Sequence, residues 1–375
     1  MSTDRVFNFS AGPAALPEPV IQQAQKDLWN FKGSGMGVLE LSHRGKWFDG
    51  ILEEAEADCR EIGKVPNNYR VLFLQGGATT QADMIPMSFL GKGQTADYVD
   101  TGKWAADAVG EAQRHAKNIG ASVNVAGSSK NDNYCHLPKS YNFTKNAAYC
   151  LYVSNNTIFG TQFQAPPDAP APLIGDMSSD FFSRPMDIKR HAMLYGGAQK
   201  NLGPAGQALV IVSDEFLAKA PKDTLGKMFD YQVQAAKESR YNTPNTFAIY
   251  LMGQVFKWIK KEFGSLEQAE TYNRDKARLI YDAIDNSDFF EAHVKEQADR
   301  SYMNIPFKSP TPELDALFAK EAEAKGFTTL DGHRSIGGMR ASIYNAFPVE
   351  GCRKFAEFMR AFEREHAGKT TVAAR

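Results

Sequence analysis

The stretch 194–206 reads LYGGAQKNLGPAG, and the interpretation of the whole chain starts from it. It places Lys200 between two short apolar runs, with glycines at positions 196, 197, 203 and 206. This spacing predicts a sharp turn between two strands, because glycine adopts turn conformations that other residues rarely reach. An amine on such a turn can lose part of its hydration, which favours the neutral, nucleophilic form. An ordinary hairpin with a solvent-exposed lysine fits the segment equally well.

A second residue, Asp176, separates these two interpretations. It ends the apolar run 172–176, PLIGD, which predicts a buried strand. A carboxylate there is unfavourable unless it has a partner, and the protonated ring nitrogen of pyridoxal phosphate is such a partner. Asp176 could instead cap a helix, but capping does not explain why Asp176 and Lys200 both end strand-like runs. The pair indicates a pyridoxal phosphate site.

Six blocks, spread almost from end to end, make the chain resemble the phosphoserine aminotransferases. They are NFSAGPAALP (8–17), LSHRGKWF (41–48), ADYVDTGKWA (96–105), GAQKNLGPAG (197–206), YNTPNTF (241–247) and GHRSIGGMRASIYNA (332–346). Each block alone is moderately specific, whereas their order and combination are highly specific. Members of this family are pyridoxal phosphate enzymes of fold type I, class V.

The alternation of strand-like and helical segments predicts an α/β fold whose sheet is mainly parallel. Strands are predicted at 69–74, 96–99, 122–125, 148–153, 173–176, 192–195 and 208–212. A first helix is predicted over 19–31, with Val20, Ile21, Ala24, Leu28 and Phe31 on one face. The resemblance implies an aspartate-aminotransferase-like architecture. We expect a large cofactor-binding domain over 16–264 and a smaller α/β C-terminal domain over 265–375, joined by segment 1–15, with a disordered tail at 368–375.

The resemblance also implies which residues surround the cofactor. In the turn 75–81, QGGATTQ, free N–H groups at a helix start attract phosphate, and glycines let it approach. The implied cofactor positions are Ala78, Thr79, Trp104, Thr157, Asp176, Gln199, Lys200 and, from a neighbouring subunit, Asn242 and Thr243. Pattern alone favours a core tryptophan at position 104. No GxGxxG follows a predicted strand, which disfavours a dinucleotide site.

Cationic residues are expected to bind the substrate, since a molecule with a carboxylate and a phosphate needs several cationic donors. The resemblance assigns Arg340 to the α-carboxylate. It assigns the distal anion to His43 and Arg44 of the partner subunit, assisted by His333 and Arg334. Any one of these pairs alone is more often an ordinary surface feature, and the matching motifs favour binding.

Two positions depart from the family pattern. Many bacterial members carry arginine where this chain has Thr79, and that arginine helps to hold the substrate phosphate. The first cofactor-side serine of the FSSGP form is Ala11 here, with Ser10 before it. We therefore expect changed affinity for phosphorylated substrates, and one hydrogen bond that is missing or supplied by the backbone.

The implied reaction is a ping-pong transamination. Glutamate gives its amino group and leaves as 2-oxoglutarate, and 3-phosphohydroxypyruvate accepts it to become O-phospho-L-serine, a step of serine biosynthesis. Lys200 moves the proton as general acid and base. The family also forms 4-phosphohydroxy-L-threonine in pyridoxine biosynthesis. A shared site implies a homodimer. The alternatives are another class V aminotransferase, cysteine desulfuration, and a non-catalytic α/β binding protein.

Composition restricts the partners and the compartment. The formal net charge of −1 argues against nucleic acid and anionic membranes as partners. No apolar run approaches the roughly 20 residues of a membrane span, and MSTDRVFNFS has no apolar signal core, so we expect a cytoplasmic protein. The four cysteines are scattered without a CxxC pair, which indicates free thiols rather than disulfides or a zinc site.

Overall fold

The computed structural model describes residues 5–222 and 224–367, so the tail predicted to be disordered lies outside the described residues. A seven-stranded sheet holds the 194–206 stretch. Its strands are β2 (Tyr69–Gln75), β3 (Thr95–Asp100), β4 (Ser122–Ser128), β5 (Cys150–Val153), β6 (Leu173–Asp176), β7 (Met193–Gly197) and β8 (Gln207–Ser213). All seven predicted strands are confirmed.

The strand order in this sheet is β2-β8-β7-β6-β5-β3-β4. The neighbours from β7 across to β4 run parallel. In contrast, β8 is antiparallel to both β7 and β2. The predicted α/β fold with a mainly parallel sheet is therefore confirmed, and the antiparallel exception is the hairpin that carries Lys200.

Helices cover both faces of the large sheet, as an α/β fold requires. Side chains alternate along β2, so that Val71 and Phe73 face one core cluster while Leu72 and Leu74 face another. The helices of this part are α1 (Glu18–Asp27), α2 (Lys46–Gly63), α3 (Gly77–Phe89), α4 (Lys103–Ile119), α5 (Asp214–Leu217), α6 (Tyr231–Ala236) and α7 (Thr246–Phe263). Helices α2 and α7 pack on the first face, and α3 and α4 on the second.

The first helix differs from its prediction. It ends at Asp27 rather than at position 31. Ile21 and Leu28, expected on the buried face, are 38% and 42% exposed. Asp27 is buried instead, because its carboxylate accepts a hydrogen bond of 2.6 Å from the Tyr250 hydroxyl. The apolar pattern gave a wrong prediction at Ile21 and Leu28, because the polar Asp27, bonded to Tyr250, occupies the buried face.

The remaining described elements form a second group. They are α8 (Leu266–Asp285), β9 (Glu291–Ala292), β10 (Asn304–Lys308), α9 (Pro312–Ala324), β11 (Phe327–Thr328), β12 (Met339–Ser342) and α10 (Val349–His366). Strands β12, β10 and β9 form an antiparallel sheet. The N-terminal strand β1 (Phe7–Asn8) pairs in parallel with β11. Segment 1–15 thus contacts this second group through its described part, and the domain limits at 264 and 265 stay a prediction.

Within residues 5–222 and 224–367, no helix is both long enough and apolar enough to span a bilayer.

Candidate active site

One cavity of about 460 Å³ collects most of the residues expected around the cofactor. Its lining includes Ala78, Thr79, Trp104, Asp176, Gln199 and Lys200. These residues come from the start of α3, the start of α4, the end of β6 and the turn after β7. The end of a parallel strand is where α/β proteins place their binding crevices. The structure therefore brings these six together, although their roles remain expectations.

The turn between β7 and β8 positions Lys200. The two strands pair down to Gly197 and Ala208, and the Ala198 N–H donates to the Gln207 carbonyl at 2.8 Å. Lys200 is half-buried, and its Nζ donates to Thr157 Oγ1 at 2.6 Å. The same Nζ lies 5.2 Å from the centroid of the Trp104 ring. The predicted hairpin is confirmed, and its lysine amine lies among cavity residues rather than in bulk solvent.

The surroundings of Lys200 favour its neutral form. Desolvation by burial lowers the pKa of Lys200 from 10.5 to about 8, and the charge of Arg340 acts in the same direction. The carboxylate of Asp176 opposes this shift because it stabilises the ammonium. About a tenth of the amine is therefore unprotonated at pH 7, far more than for an ordinary lysine with a pKa near 10.5, and this neutral form is the nucleophile.

This pKa gives an expected pH dependence for the cofactor-free protein. Below about pH 8 Lys200 is an unreactive ammonium, so its labelling by a small amine-reactive reagent should rise as the pH passes through about 8 and then level off. Peptide mass spectrometry measures this rate, with the exposed Lys64 in the same sample as an internal reference. A rate that keeps rising to about pH 10.5 would contradict the desolvated amine.

Asp176 ends β6 and is only 7% exposed. Its Oδ1 accepts hydrogen bonds from the Ser178 amide at 2.8 Å and from the Ser178 hydroxyl at 2.6 Å. Burial raises the pKa of Asp176, while Lys200 and the Ser178 bonds oppose the shift. Residues 178–182 form turns, so Asp176 does not cap a helix. The result is a desolvated carboxylate whose charge a cationic N–H at the cavity would stabilise.

The loop before α3 forms a cradle with free amide groups. Gly76 has φ +90°, and a Cβ there would lie 2.7 Å from the Cβ of Thr80 and closer still to its hydroxyl. Helix α3 begins at Gly77, so the amides of Ala78 and Thr79 belong to its first turn, which lacks intrahelical acceptors. The site thus fits a phosphate at this helix start.

One further observation fits a bound polar molecule. Gln199 Oε1 is buried and has no hydrogen-bond partner among the described residues. It lies beside the loop before α3, because a Cβ added to Gly197 would approach both Gln199 Oε1 and the Ala78 nitrogen. A donor from a molecule in the cavity would satisfy this oxygen.

Arg340 and Arg334 form a cationic edge of the site, with His333 beside them. Arg340 lies on β12, and its Nη1 donates to the Thr157 carbonyl at 3.3 Å. Burial lowers the pKa of His333, and the charges of Arg340, Arg334 and Lys103 lower it further. Arg334 therefore contributes positive potential to the same region, which suits an anionic substrate.

Eight expected residues do not line the main cavity within a single chain. Four of them are the residues at its edge, Thr157, His333, Arg334 and Arg340, and the other four were expected from a partner subunit. Asn242 lines a neighbouring cavity of about 320 Å³, which shares Gly76 with the main one. Thr243, His43 and Arg44 line neither of these two cavities. All four were expected to act from a partner subunit, so their roles stay predictions.

Several lining residues were not anticipated from the sequence. Gly12 lies against Lys200, since a Cβ at Gly12 would sit 3.3 Å from Lys200 Cγ. Ser178 connects Asp176 with the strand that leads to Lys200. Its hydroxyl donates to the Asp176 carboxylate and accepts a hydrogen bond from the Gly197 N–H at 2.9 Å. Position 12 falls in the matched block 8–17, which was the available signal. For Ser178 the available signal in the sequence was its position two residues after Asp176.

Comparisons with known proteins agree with this geometry. The family model described as Aminotransferase class-V matches residues 6–355. The phosphoserine aminotransferase of Nitrosomonas europaea is 49% identical over 373 residues, which cover 97% of this chain and all of that protein. The chain therefore belongs to the class V aminotransferases and, within them, to the phosphoserine aminotransferase family.

Solved structures give the same result. The phosphoserine aminotransferase of Bacillus circulans subsp. alkalophilus superposes with a TM-score of 0.92 at 47% identity, covering 97% of this chain and 100% of that one. A pyridoxal-phosphate-bound phosphoserine aminotransferase from Trichomonas vaginalis gives 0.91 at 38% identity, covering 95% and 100%. The fold is thus that of a fold type I aminotransferase.

Proposed function

We propose that the protein is a pyridoxal-phosphate-dependent phosphoserine:2-oxoglutarate aminotransferase of serine biosynthesis. It transfers the amino group of glutamate to 3-phosphohydroxypyruvate and gives 2-oxoglutarate and O-phospho-L-serine. The single observation that carries this proposal is the cavity in which Lys200, Asp176 and the loop before α3 meet. The phosphoserine aminotransferases that match over nearly the whole chain support the substrate.

The residues of the cavity fit the cofactor. The amides of Ala78 and Thr79 would bind its phosphate, together with Asn242 and Thr243 of a second copy. Trp104, which is 39% exposed and therefore not a core residue, offers a ring face to the cofactor ring. Asp176 would bind its ring nitrogen, and Gln199 and Thr157 its polar edge. When bound through Lys200, the cofactor withdraws electrons from the substrate α-carbon.

The chain's own side chains supply the remaining chemistry. Lys200, once released by the incoming amino acid, would carry the proton from the substrate α-carbon to the cofactor carbon that bears the amino group. The hydrogen bond from Lys200 to Thr157 fixes the position of the amine before the reaction. Arg340 binds the α-carboxylate. His333 and Arg334, with His43 and Arg44 of the second copy, bind the distal phosphate or γ-carboxylate.

We further propose that the enzyme is a cytoplasmic homodimer with shared active sites. Trp29 is 86% exposed and Leu39 is 59% exposed, and such apolar surface supports contact with a second copy. The four free thiols support a reducing compartment. We also propose that 4-phosphohydroxy-L-threonine of pyridoxine biosynthesis is formed, with the affinity for phosphorylated substrates altered by Thr79 and Ala11.

The alternatives have less support. A desulfurase needs a reactive cysteine near the substrate. Burial raises the pKa of Cys150 and of Cys352 to about 12, and it raises the pKa of the Cys59 thiol as well. None of the four cysteines lines the main cavity. A non-catalytic binding protein would have no use for the paired Asp176 and Lys200.

The visible absorption of the holo-protein tests the proposal in two steps. Glutamate alone should move the absorption band of the bound cofactor to that of its amino form. Adding 3-phosphohydroxypyruvate should restore the first band, whereas pyruvate and oxaloacetate, which lack phosphate, should not. A band that glutamate leaves unchanged refutes the transaminase. If all three keto acids restored the first band equally, 3-phosphohydroxypyruvate would not be the specific substrate, and another class V aminotransferase would be favoured.

A further inference from the structure

A buried lysine outside the active site, Lys276, makes an unusual set of contacts. It lies on α8 and has no exposed surface. Its Nζ donates to three backbone carbonyls of one short segment, Ile343 at 2.9 Å, Tyr344 at 2.7 Å and Phe347 at 3.1 Å. The proposed reaction gives this residue no part. A fully buried lysine is rare and normally has a specific partner.

The geometry identifies the protonation state of Lys276. An ammonium has three N–H donors and no acceptor, which matches three carbonyl oxygens, whereas a neutral amine has only two donors. Burial lowers the pKa of Lys276 to about 7. The three carbonyl oxygens oppose this shift, because hydrogen bonds to the charged form stabilise it. The three contacts thus favour the protonated side chain, held by backbone dipoles.

The amine of Lys276 lies between the three carbonyl oxygens and stabilises their close approach. Carbonyl oxygens that face one another repel, and the ammonium turns this repulsion into attraction. A second residue of α8 assists, since Asn273 Nδ2 donates to Asn345 Oδ1 at 2.8 Å. Helix α8 therefore fixes the shape of the segment that follows β12 and Arg340.

The segment held by Lys276 contacts the active site at two points. The Tyr344 hydroxyl donates to the Ala11 carbonyl at 2.7 Å, and Ala11 precedes Gly12, which lies against Lys200. The backbone N–H of Asn345 donates to Asn201 Oδ1 at 2.9 Å, and Asn201 follows Lys200 in the chain. Both contacts approach the reactive lysine.

We propose that Lys276 is a positioning residue for the transamination: its ammonium shapes segment 343–347, which then holds Ala11 and the Lys200 turn in place. The proposal rests on the proposed function, since it assigns a part in that reaction. Lys276 does not line the main cavity and does not touch the reacting atoms. Its effect on turnover passes through Tyr344 and Asn345.

A double-mutant cycle with Lys276→Met and Tyr344→Phe tests this path. Methionine keeps the length and removes the three donors, and phenylalanine removes the hydroxyl that reaches Ala11. We expect each single variant to lower kcat by about 10- to 100-fold, because small displacements of reacting groups have effects of this size. The double variant should be no slower than the slower single variant, because coupled residues do not act additively.

Controls separate positioning from stability. Phe318→Leu, in the aromatic core of the second group, should lower Tm about as much as Lys276→Met does and leave kcat unchanged. The pH dependence of the bound cofactor's absorption band should shift in Lys276→Met and not in Phe318→Leu. If Lys276→Met does not fold, Lys276→Gln, which keeps two donors, takes its place. Effects that multiply in the double variant, or an unshifted absorption profile, would overturn the proposal. Wild-type turnover, measured first, decides the proposed function independently.

Discussion

Replacing Lys200 by alanine should abolish transamination and the absorption band of the lysine-bound cofactor. The variant loses the Lys200 amine, which lies 2.6 Å from Thr157 Oγ1. In the proposed reaction this amine is both the attachment point of the cofactor and the proton carrier. We expect turnover to fall by more than about 1000-fold. Steady-state kinetics and the visible spectrum of the purified variant measure both effects.

A neighbouring lysine provides the matched control for this variant. The Nζ of Lys103 lies 5.8 Å from the same Trp104 ring, but it pairs with Asp107 at 2.7 Å and does not bond Thr157. Lys103→Ala should therefore keep the absorption band and most of the turnover. A wild-type band in Lys200→Ala would refute the assignment of the reactive lysine.

The second large effect is expected from Asp176→Ala. The variant removes the carboxylate proposed to bind the ring nitrogen, so turnover should fall by about 100-fold or more while the fold stays intact. The same buried carboxylate is unfavourable when no cation faces it. The cofactor-free variant should therefore unfold at a Tm no lower than that of the cofactor-free wild type.

Kinetics and thermal unfolding monitored by circular dichroism test these two statements. Ser178→Ala is the control, since it removes one 2.6 Å hydrogen bond to Asp176 and leaves the carboxylate in place. Its loss of turnover should be much smaller than that of Asp176→Ala. Near-normal turnover in Asp176→Ala would exclude a role at the ring nitrogen.

Local sequence patterns predicted the sheet and the centre of the site. Continuous apolar runs identify buried strands, and Asp176 and Lys200 follow two such runs directly, so strand ends could be placed without the structure. The cavity then confirmed that both residues meet. Trp104 shows the limit of this method, because its 39% exposure contradicts the core position that its pattern favoured.

Contacts between distant segments could not be predicted in this way. Val20 and Ala24 of α1 are buried as predicted, but Ile21 and Leu28 were assigned wrongly because Tyr250 holds Asp27 inside. Lys276 shares the buried face of α8 with Asn273 and Ile280, so helical spacing places it inward, but its charge argues for the surface. His43 and Arg44 are expected to act in the site of a second copy of the chain, which no pattern within one chain can locate.

The pairing of β1 with β11 determines when the active site can be completed during synthesis. Phe7 is translated long before its partner Phe327. Until then segment 10–13 has neither β11 nor the Tyr344 hydroxyl to hold it against Lys200. Loops between such distant segments are slow to close. A nascent chain can therefore fold its large sheet before β11 is made, while Lys200 becomes fully enclosed only after Phe327 and Tyr344 have been translated.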